Sequence, residues 1–385
     1  MIQISGINNS ARLALIGVLG LMLFVFLYIV VTNKSNPSTT PNPTPPPKRQ
    51  SGQKTIRGVY AVIEWNQEPR GETWENEYAH GIVAKTYWKD VNPQRETYDW
   101  EYLDRIFKQA ANHNKKVHLI IAPGFYSPEW VLNDPNVQKA EFIVPQGPYK
   151  GQRKQLPLPW NDTYLSTWFT FVRKAAERYG NNSTLAYVSA TGPNSHNGEV
   201  ALPREKQDEK IWLNVATGTT YEDKKINLEH QLIFAWDRTI KEYCNAFEGK
   251  KFTIALINQS FPLGGDAITQ QSYKQKLVDL GVSRCTKTFG IQTNGLDGRP
   301  VYPQKQGPLP HWELIDKYAG MLLTGFQTQA PSNLYPSGNA ETKSAILRQT
   351  IEHALARKAH FIEIYESDTL NRSMQSALEY ASKQF

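Results

Sequence analysis

GIVAKTYWKDVNPQRETYDWEYLDRIFKQAANHNKKVHLIIAPGFYSPEW, residues 81–130, is the stretch that decides the fold of this 385-residue chain. It opens with an apolar strand-like run at residues 81–87, and a second run follows at residues 117–122. Between them, residues 99–112 carry apolar side chains at spacings of three and four, which predicts an amphipathic helix. The separation is too long for a hairpin and suits a right-handed crossover, so the two strands should be parallel neighbours.

The same unit of strand and helix recurs along the chain. Strands are predicted at residues 56–65, 81–87, 117–122, 185–191, 252–258, 288–293, 320–326 and 360–365, and helices at residues 99–112, 164–179, 228–247, 272–280, 311–318, 340–356 and from 371. Eight strands alternating with helices predict an α/β protein, a (β/α)8 TIM barrel, over residues 56–385. An open doubly wound sheet is the rival fold, but no glycine-rich nucleotide-binding turn follows the first strand.

The formal net charge of +7 comes mostly from the first 55 residues, which hold five of the 43 basic residues and no acidic one. Without these five, the remaining 38 basic residues nearly balance the 36 acidic ones. The charge balance of the predicted barrel therefore gives no support to a nucleic-acid partner.

The N-terminal part predicts a membrane anchor. After a short tail (residues 1–12), residues 13–31 are uncharged and just long enough to span a bilayer as a helix. Neither a small-residue cleavage site nor a lipid-accepting cysteine follows, so we expect an uncleaved anchor. Residues 32–55 form a linker rich in Pro, Thr and Asn. The flanking basic residues alone would leave the barrel in the cytoplasm, whereas the extended spacer favours an extracytoplasmic barrel.

The chain has two cysteines, Cys244 and Cys285, both expected at the bottom of adjacent barrel units. They are either bonded to each other or two separate thiols. A bond would close a loop of about forty residues and stabilise the domain by about 3–4 kcal/mol. It would also place the barrel in an oxidising compartment.

Carboxylates and aromatic rings gather at the predicted strand ends, where barrel active sites are built. Glu64 and Trp65 end the first strand, Glu199 follows the fourth, and Glu366 follows the eighth. Two opposed carboxylates are what glycosidic bond cleavage requires, and aromatic rings stack on the apolar faces of sugars. No metal-binding motif occurs, so neither a metal nor another cofactor is expected.

The motifs W-K-D-V-N-P, Y-D-W-E-Y-L-D, K-K-V-H-L-I-I-A-P-G and P-E-W within residues 88–130 resemble barrel glycoside hydrolases of the large retaining clan, particularly β-galactosidase-like and cellulase-like members. The resemblance implies an acid/base Glu after strand four, usually in an Asn-Glu pair, and a nucleophilic Glu at the tip of strand seven. Here Glu199 comes five residues after Asn194, and Gln327 stands where the nucleophile is expected.

Two functions follow as competing hypotheses. In the first, Glu199 is the acid/base of a glycoside hydrolase and Glu366 is the partner carboxylate, although Glu366 could instead cap a helix or pair with a nearby Lys or Arg. In the second, the barrel binds carbohydrate without cleaving it. Glu363 is expected to be structural, with Arg57 as its partner. The residues expected to bind substrate are Trp65, Trp88, Trp130, Asn194, His196, Gln327 and Tyr365. A third and weaker hypothesis is a metabolic barrel facing the cytoplasm.

Overall fold

Eight parallel strands close into a barrel in the computed structural model, which describes residues 56–264, 267–298, 310–335 and 338–385. Each strand pairs with its neighbours in the chain, and β1 closes the barrel against β8. The strands are β1 (Gly58–Val62), β2 (Gly81–Tyr87), β3 (Lys116–Ala122), β4 (Leu185–Ser189), β5 (Lys251–Leu256), β6 (Phe289–Leu296), β7 (Leu323–Thr328) and β8 (Phe361–Tyr365). The prediction of a (β/α)8 barrel is confirmed.

Helices connect the strands and cover the outside of the barrel. The longer ones are Glu101–Asn112, Asp162–Tyr179, Lys206–Val215, Tyr221–Ala246, Ala267–Cys285, Pro310–Tyr318, Ala340–Ala356 and Gln375–Gln384. Short helical turns lie at Gly71–Glu75, Trp88–Val91, Gly124–Tyr126, Glu129–Leu132, Pro331–Leu334, Glu366–Thr369 and Arg372–Met374. Because each long helix buries one apolar face against the strands, the helices and the outer strand faces share one large core.

A second, smaller core fills the barrel and shows which residues point inward. On β1, Tyr60 and Val62 belong to this inner core, whereas Val59, Ala61 and Ile63 pack in the outer one. The whole inner core comprises Tyr60, Val62, Val83, Ile120, Tyr187, Leu323 and Phe361. Side chains alternate between the two faces of a strand. The inward row of every strand can therefore be followed to the barrel mouth.

Several predicted boundaries differ from the structure, and two of them have a visible cause. Strand seven was predicted at residues 320–326, but β7 starts at Leu323, because residues 319–322 form the turn after a helix and Met321 is exposed. The polar insertion at residues 194–227 contains the helix Lys206–Val215, and the next helix starts at Tyr221, seven residues before its predicted start. A capping box at Thr220 and Asp223 fixes that start.

Residues 139–157 contain an antiparallel hairpin that the sequence did not predict. Its strands, Lys139–Ile143 and Arg153–Pro157, belong to the connection between β3 and β4. Apolar side chains hold it in place, because Phe142 is fully buried and lies 4.6 Å from the ring centroid of Trp212. The hairpin therefore packs firmly beside the barrel mouth.

Cys244 and Cys285 form a disulfide that joins the ends of two neighbouring helices. The bond that the sequence left open is thus present. No helix among the described residues has the length and apolar character needed to cross a bilayer. The predicted anchor (13–31) and linker (32–55) lie outside the described residues.

Candidate active site

Polar side chains form a ring at the C-terminal mouth of the barrel. Lys85, Gln327 and Tyr365 continue the inward rows of β2, β7 and β8. Asn294 of β6 is the register partner of Gln327, which in turn pairs with Glu363 of β8. The arrangement is that of barrel active sites, in which strand ends supply the functional groups.

Glu199 reaches this ring because the loop after β4 folds back onto β5. Its backbone forms a parallel bridge with Ala255, and its half-buried carboxylate accepts two amide hydrogen bonds. Asn197 Nδ2 lies 2.8 Å from Oε2, and Asn294 Nδ2 lies 2.9 Å from Oε1. The backbone N–H of Glu199 also donates to Asn197 Oδ1 at 3.0 Å. The carboxylate is therefore fixed in direction although it sits in a loop.

Asn194 and His196, both predicted to bind substrate, hold this loop together from within. Asn194 accepts the N–H of Gly192 at 2.7 Å and donates to the carbonyl of Asn197. Ser195 Oγ donates to a backbone carbonyl at 3.0 Å, so it accepts the hydrogen bond from His196 Nδ1 at 2.6 Å. Both side chains are buried. Their contacts position Glu199 and leave little surface for a ligand.

The stability of this loop should depend on pH through His196. Burial, with a smaller contribution from Arg204, lowers the pKa of His196 to about 4. An unfolded histidine titrates near pH 6.5, so between these values the unfolded chain binds more protons and stability falls as the pH falls. We expect His196→Asn to reduce this loss between pH 7 and 4.5 by roughly 1–3 kcal/mol.

Urea unfolding of both proteins at the two pH values measures the effect. Asn places an amide donor near the position of Nδ1, so the hydrogen bond to Ser195 can persist. Burial also lowers the pKa of His311, to about 3, and this residue remains in the variant. The dependence of the free energy of unfolding on pH should therefore become weaker without vanishing. An unchanged dependence would show that the pKa of His196 does not differ between the folded and unfolded chain.

Beneath the ring, Glu363 anchors a buried polar network inside the barrel. Its Oε1 lies 2.5 Å from His118 Nδ1 and 2.9 Å from the Tyr187 hydroxyl, and Gln292 Nε2 donates to Oε2 at 2.7 Å. His118 Nε2 continues to Ser189 Oγ at 2.8 Å. Glu363 is fully buried, and its contacts are those of a structural residue. The partner of its carboxylate is His118 and not Arg57. Arg57, the predicted partner, is exposed at the other end of β1.

Two amides connect this network to Glu199. Gln292 Nε2 donates to Asn294 Oδ1 at 3.0 Å as well as to Glu363, and Asn294 donates to Glu199. The path from Glu199 Oε1 to Glu363 Oε2 runs through three hydrogen bonds and across the side-chain amide of Asn294. These two oxygens therefore lie at most roughly 11 Å apart. The buried network around Glu363 therefore orients the Glu199 carboxylate at the mouth.

Glu366 does not join Glu199. Its Oε1 accepts hydrogen bonds from the N–H of Arg70 at 2.8 Å and from Thr73 Oγ1 at 2.6 Å, at the start of the helix Gly71–Glu75. Ile362 and Ile364, which alternate with Glu363, pack in the outer core, so Glu366 continues the outer row. Glu366 Oε2 also lies 3.7 Å from Arg70 Nε, so the alternative of helix capping or ion pairing describes its contacts. The structure does not bring the two predicted catalytic carboxylates together.

Of the three predicted tryptophan platforms, Trp65 lies at the mouth, whereas Trp88 and Trp130 pack against each other. Trp88 is fully buried behind the barrel, 4.9 Å from the ring centroid of Trp168. Trp130 packs edge-on against Trp88 and donates to the carbonyl of Asn92 at 3.1 Å. Trp88 therefore contributes to packing, which corrects its predicted role. Trp130 is half-buried, so its predicted role stays a prediction.

Trp65 ends a stack of four aromatic rings along one side of the mouth. It lies parallel to Tyr87 at 4.6 Å between centroids, Tyr87 stacks on Tyr126 at 3.9 Å, and Tyr126 stacks on Tyr149 of the hairpin at 5.4 Å. Trp65 and Tyr149 are half-buried, whereas the two inner rings are buried. The stack ties the hairpin to β1, β2 and β3 and presents an aromatic edge to the mouth.

The remaining ring members are Gln327, Tyr365 and Lys85. Gln327 Nε2 donates to the Tyr365 hydroxyl at 3.4 Å. Burial raises the pKa of Tyr365, with Glu199 the largest of the charges that act in the same direction, so this hydroxyl stays protonated. Burial lowers the pKa of Lys85. Lys85 is 8% exposed and is not among the residues predicted from the sequence to form the site.

These features define the class of fold, a (β/α)8 barrel like that of barrel glycoside hydrolases. The model of glycoside hydrolase family 42, described as β-galactosidase, matches residues 74–220, which include β2 to β4 and Glu199. The resemblance found in the sequence is confirmed at this level. None of the curated proteins compared with the chain matches its sequence significantly.

Solved β-galactosidases share the fold. The enzyme from the psychrophilic Marinomonas ef1 superposes with a TM-score of 0.52 at 14% identity, over 85% of this chain and 59% of its own. The β-galactosidase from Rahnella sp. R3 gives a TM-score of 0.53 at 10% identity and covers 86% of this chain and 56% of its own. The β-galactosidase from Bacillus circulans sp. alkalophilus gives a TM-score of 0.51 at 12% identity and covers the same shares, 86% of this chain and 56% of its own. The chain thus spans little more than half the length of these enzymes.

Proposed function

We propose that the barrel hydrolyses a glycosidic bond, with Glu199 as the general acid. The position of Glu199 carries this proposal. Its half-buried carboxylate lies at the C-terminal mouth, and two asparagine amides at 2.8 and 2.9 Å fix its orientation. A carboxyl group held in this way can protonate the oxygen of a glycosidic bond and still be reached by substrate. The family match that includes Glu199 supports the same class of reaction.

Hydrolysis by the purified full chain tests this function. A panel of aryl glycosides and oligosaccharides would be incubated with the protein, β-galactosides first because the matching family model is described by that activity. We expect at least one glycoside to be cleaved by the wild type and not by Glu199→Gln. A panel cleaved by neither protein would contradict the proposal.

Gln327 favours a second function, carbohydrate binding without cleavage. It occupies the strand-seven position at which the related enzymes are expected to carry a nucleophile, and an amide cannot form a glycosyl ester. The aromatic edge of Trp65 and the polar ring would still suit a sugar. Calorimetric titration with the same glycans separates the two functions, because a binder would take up a glycan that remains intact after prolonged incubation.

We also propose that residues 13–31 anchor the chain in a membrane and that residues 32–55 hold the barrel on the extracytoplasmic side. The disulfide between Cys244 and Cys285 supports this location, since such bonds persist in oxidising compartments. Protease added to intact cells should cut within residues 32–55 and release the barrel. Cleavage that requires permeabilised cells would contradict this orientation and favour a barrel facing the cytoplasm.

A further inference from the structure

The proposed hydrolysis needs a second carboxylate, and the position of Glu64 suits this role. Glu64 lies two residues beyond the end of β1, where Val62 points inward and Ile63 outward. Glu64 belongs to the mouth, because the next residue, Trp65, stacks on Tyr87 at 4.6 Å between centroids and lies 5.4 Å from the Lys85 ammonium. Backbone pairing with β2 also continues past it, because the N–H of Asn66 donates to the carbonyl of Lys85 at 2.9 Å. Glu64 is exposed, so substrate and water can reach it.

Lys85 lies at the mouth beside the loop that carries Glu64. Its ammonium lies 5.4 Å from the ring centroid of Trp65, and within the described ranges no carboxylate is close enough to form an ion pair with it. Burial lowers the pKa of Lys85, and Glu64, Glu363 and Glu199 oppose this effect, Glu64 most strongly. Glu64 and Glu199 also both raise the pKa of Tyr365, after burial. The two carboxylates therefore act on the same pair of side chains at the mouth.

The other two carboxylates near β8 are engaged elsewhere. Glu363 is fully buried, and its oxygens accept from three donors. Glu366 accepts from a backbone N–H and a threonine hydroxyl at a helix start. Neither is free to deprotonate a water molecule beside a bound sugar, whereas no hydrogen bond or ion pair engages the Glu64 side chain among the residues that the structure describes.

We propose, resting on the hydrolase function above, that Glu64 is the general base and Glu199 the general acid of an inverting glycoside hydrolase. Glu199 gives its proton to the glycosidic oxygen as the bond from that oxygen to the anomeric carbon breaks. The oxygen of a water molecule bonds to the anomeric carbon from the opposite face, and Glu64 takes one of its protons. This proton returns to Glu199 through solvent, so one water is added overall. Because no glycosyl ester forms, Gln327 at the usual nucleophile position is no obstacle.

Three glutamate-to-glutamine variants test this assignment. Glu64→Gln should lower kcat by roughly 10²–10⁴-fold with little change in KM, because the base is lost while the sugar still binds. Glu68→Gln removes the same charge from the same loop, where Glu68 pairs with Arg105 at 2.7 Å, and should keep the wild-type rate. Glu366→Gln should also keep turnover. A loss in Glu366→Gln but not in Glu64→Gln would overturn the proposal.

Two further measurements make the result independent of folding defects. The first product anomer, followed by proton NMR with the wild type, should have inverted configuration, and retention would overturn the role of Glu64. In Glu64→Ala, azide should restore turnover and yield a glycosyl azide of inverted configuration. If the wild type hydrolyses a glycoside, and this activity is lost in Glu199→Gln but kept in Glu64→Gln, the role of Glu64 as general base is refuted while the hydrolase function stands. An inactive wild type would refute the hydrolase function and this assignment with it.

Discussion

Replacing Glu199 by glutamine is expected to lower kcat by roughly 10²–10⁴-fold for a glycoside with a poor leaving group. Such a leaving group cannot depart as an anion, so the reaction depends on the proton that Glu199 donates. An amide is not acidic enough to supply it. Asn197 and Asn294 donate to the two carboxylate oxygens, and glutamine keeps the size of the side chain between them.

The dependence on the leaving group distinguishes a lost acid from a damaged site. An aryl glycoside with an activated leaving group needs little protonation, so Glu199→Gln should cleave it within about tenfold of the wild-type rate. Glu68→Gln, which changes one exposed charge at the same end of the barrel, is the matched control for both substrates. Equal losses for good and poor leaving groups would show that Glu199 orients the substrate and is not the acid.

The barrel could be predicted from the sequence because its signals are local. Alternation of apolar runs and amphipathic segments depends on neighbouring residues, and seven of the predicted helices fall in or overlap observed ones. The boundaries that failed depend on contacts distant in sequence. Leu323 starts β7 because it pairs with Gly290 of β6, and the hairpin at residues 139–157 is held by Trp212 from another segment.

The site was harder to predict because a strand end alone does not say which way a side chain points. Ile82 and Ala84 pack in the outer core and Val83 in the inner one, so counting faces along β2 puts Trp88 on the outer side and would have excluded it. The same count would have selected Lys85, a cation in an otherwise apolar run. The capping contacts of Glu366 to residues almost 300 positions away had no signal in its own neighbourhood.

Replacing Glu363 by alanine is expected to lower the free energy of unfolding by about 3–5 kcal/mol, the usual cost of removing one partner of a buried charged pair. His118, Tyr187 and Gln292 would each lose the acceptor that they share inside the barrel, at 2.5, 2.9 and 2.7 Å. A buried donor without an acceptor costs about 1–3 kcal/mol, so these losses account for the total. Denaturant unfolding of the full chain measures it.

A double-mutant cycle identifies the source of this loss. Once Glu363 is absent, His118→Ala removes an unpaired donor, so the double variant should lose less stability than the two single variants together. Glu352→Ala, which breaks only an exposed pair with Arg348, should stay within about 0.5 kcal/mol of the wild type. Strictly additive losses would mean that Glu363 and His118 do not stabilise each other. A coupled loss would establish that Glu363 and His118 stabilise each other within the network that continues through Gln292 and Asn294 to Glu199.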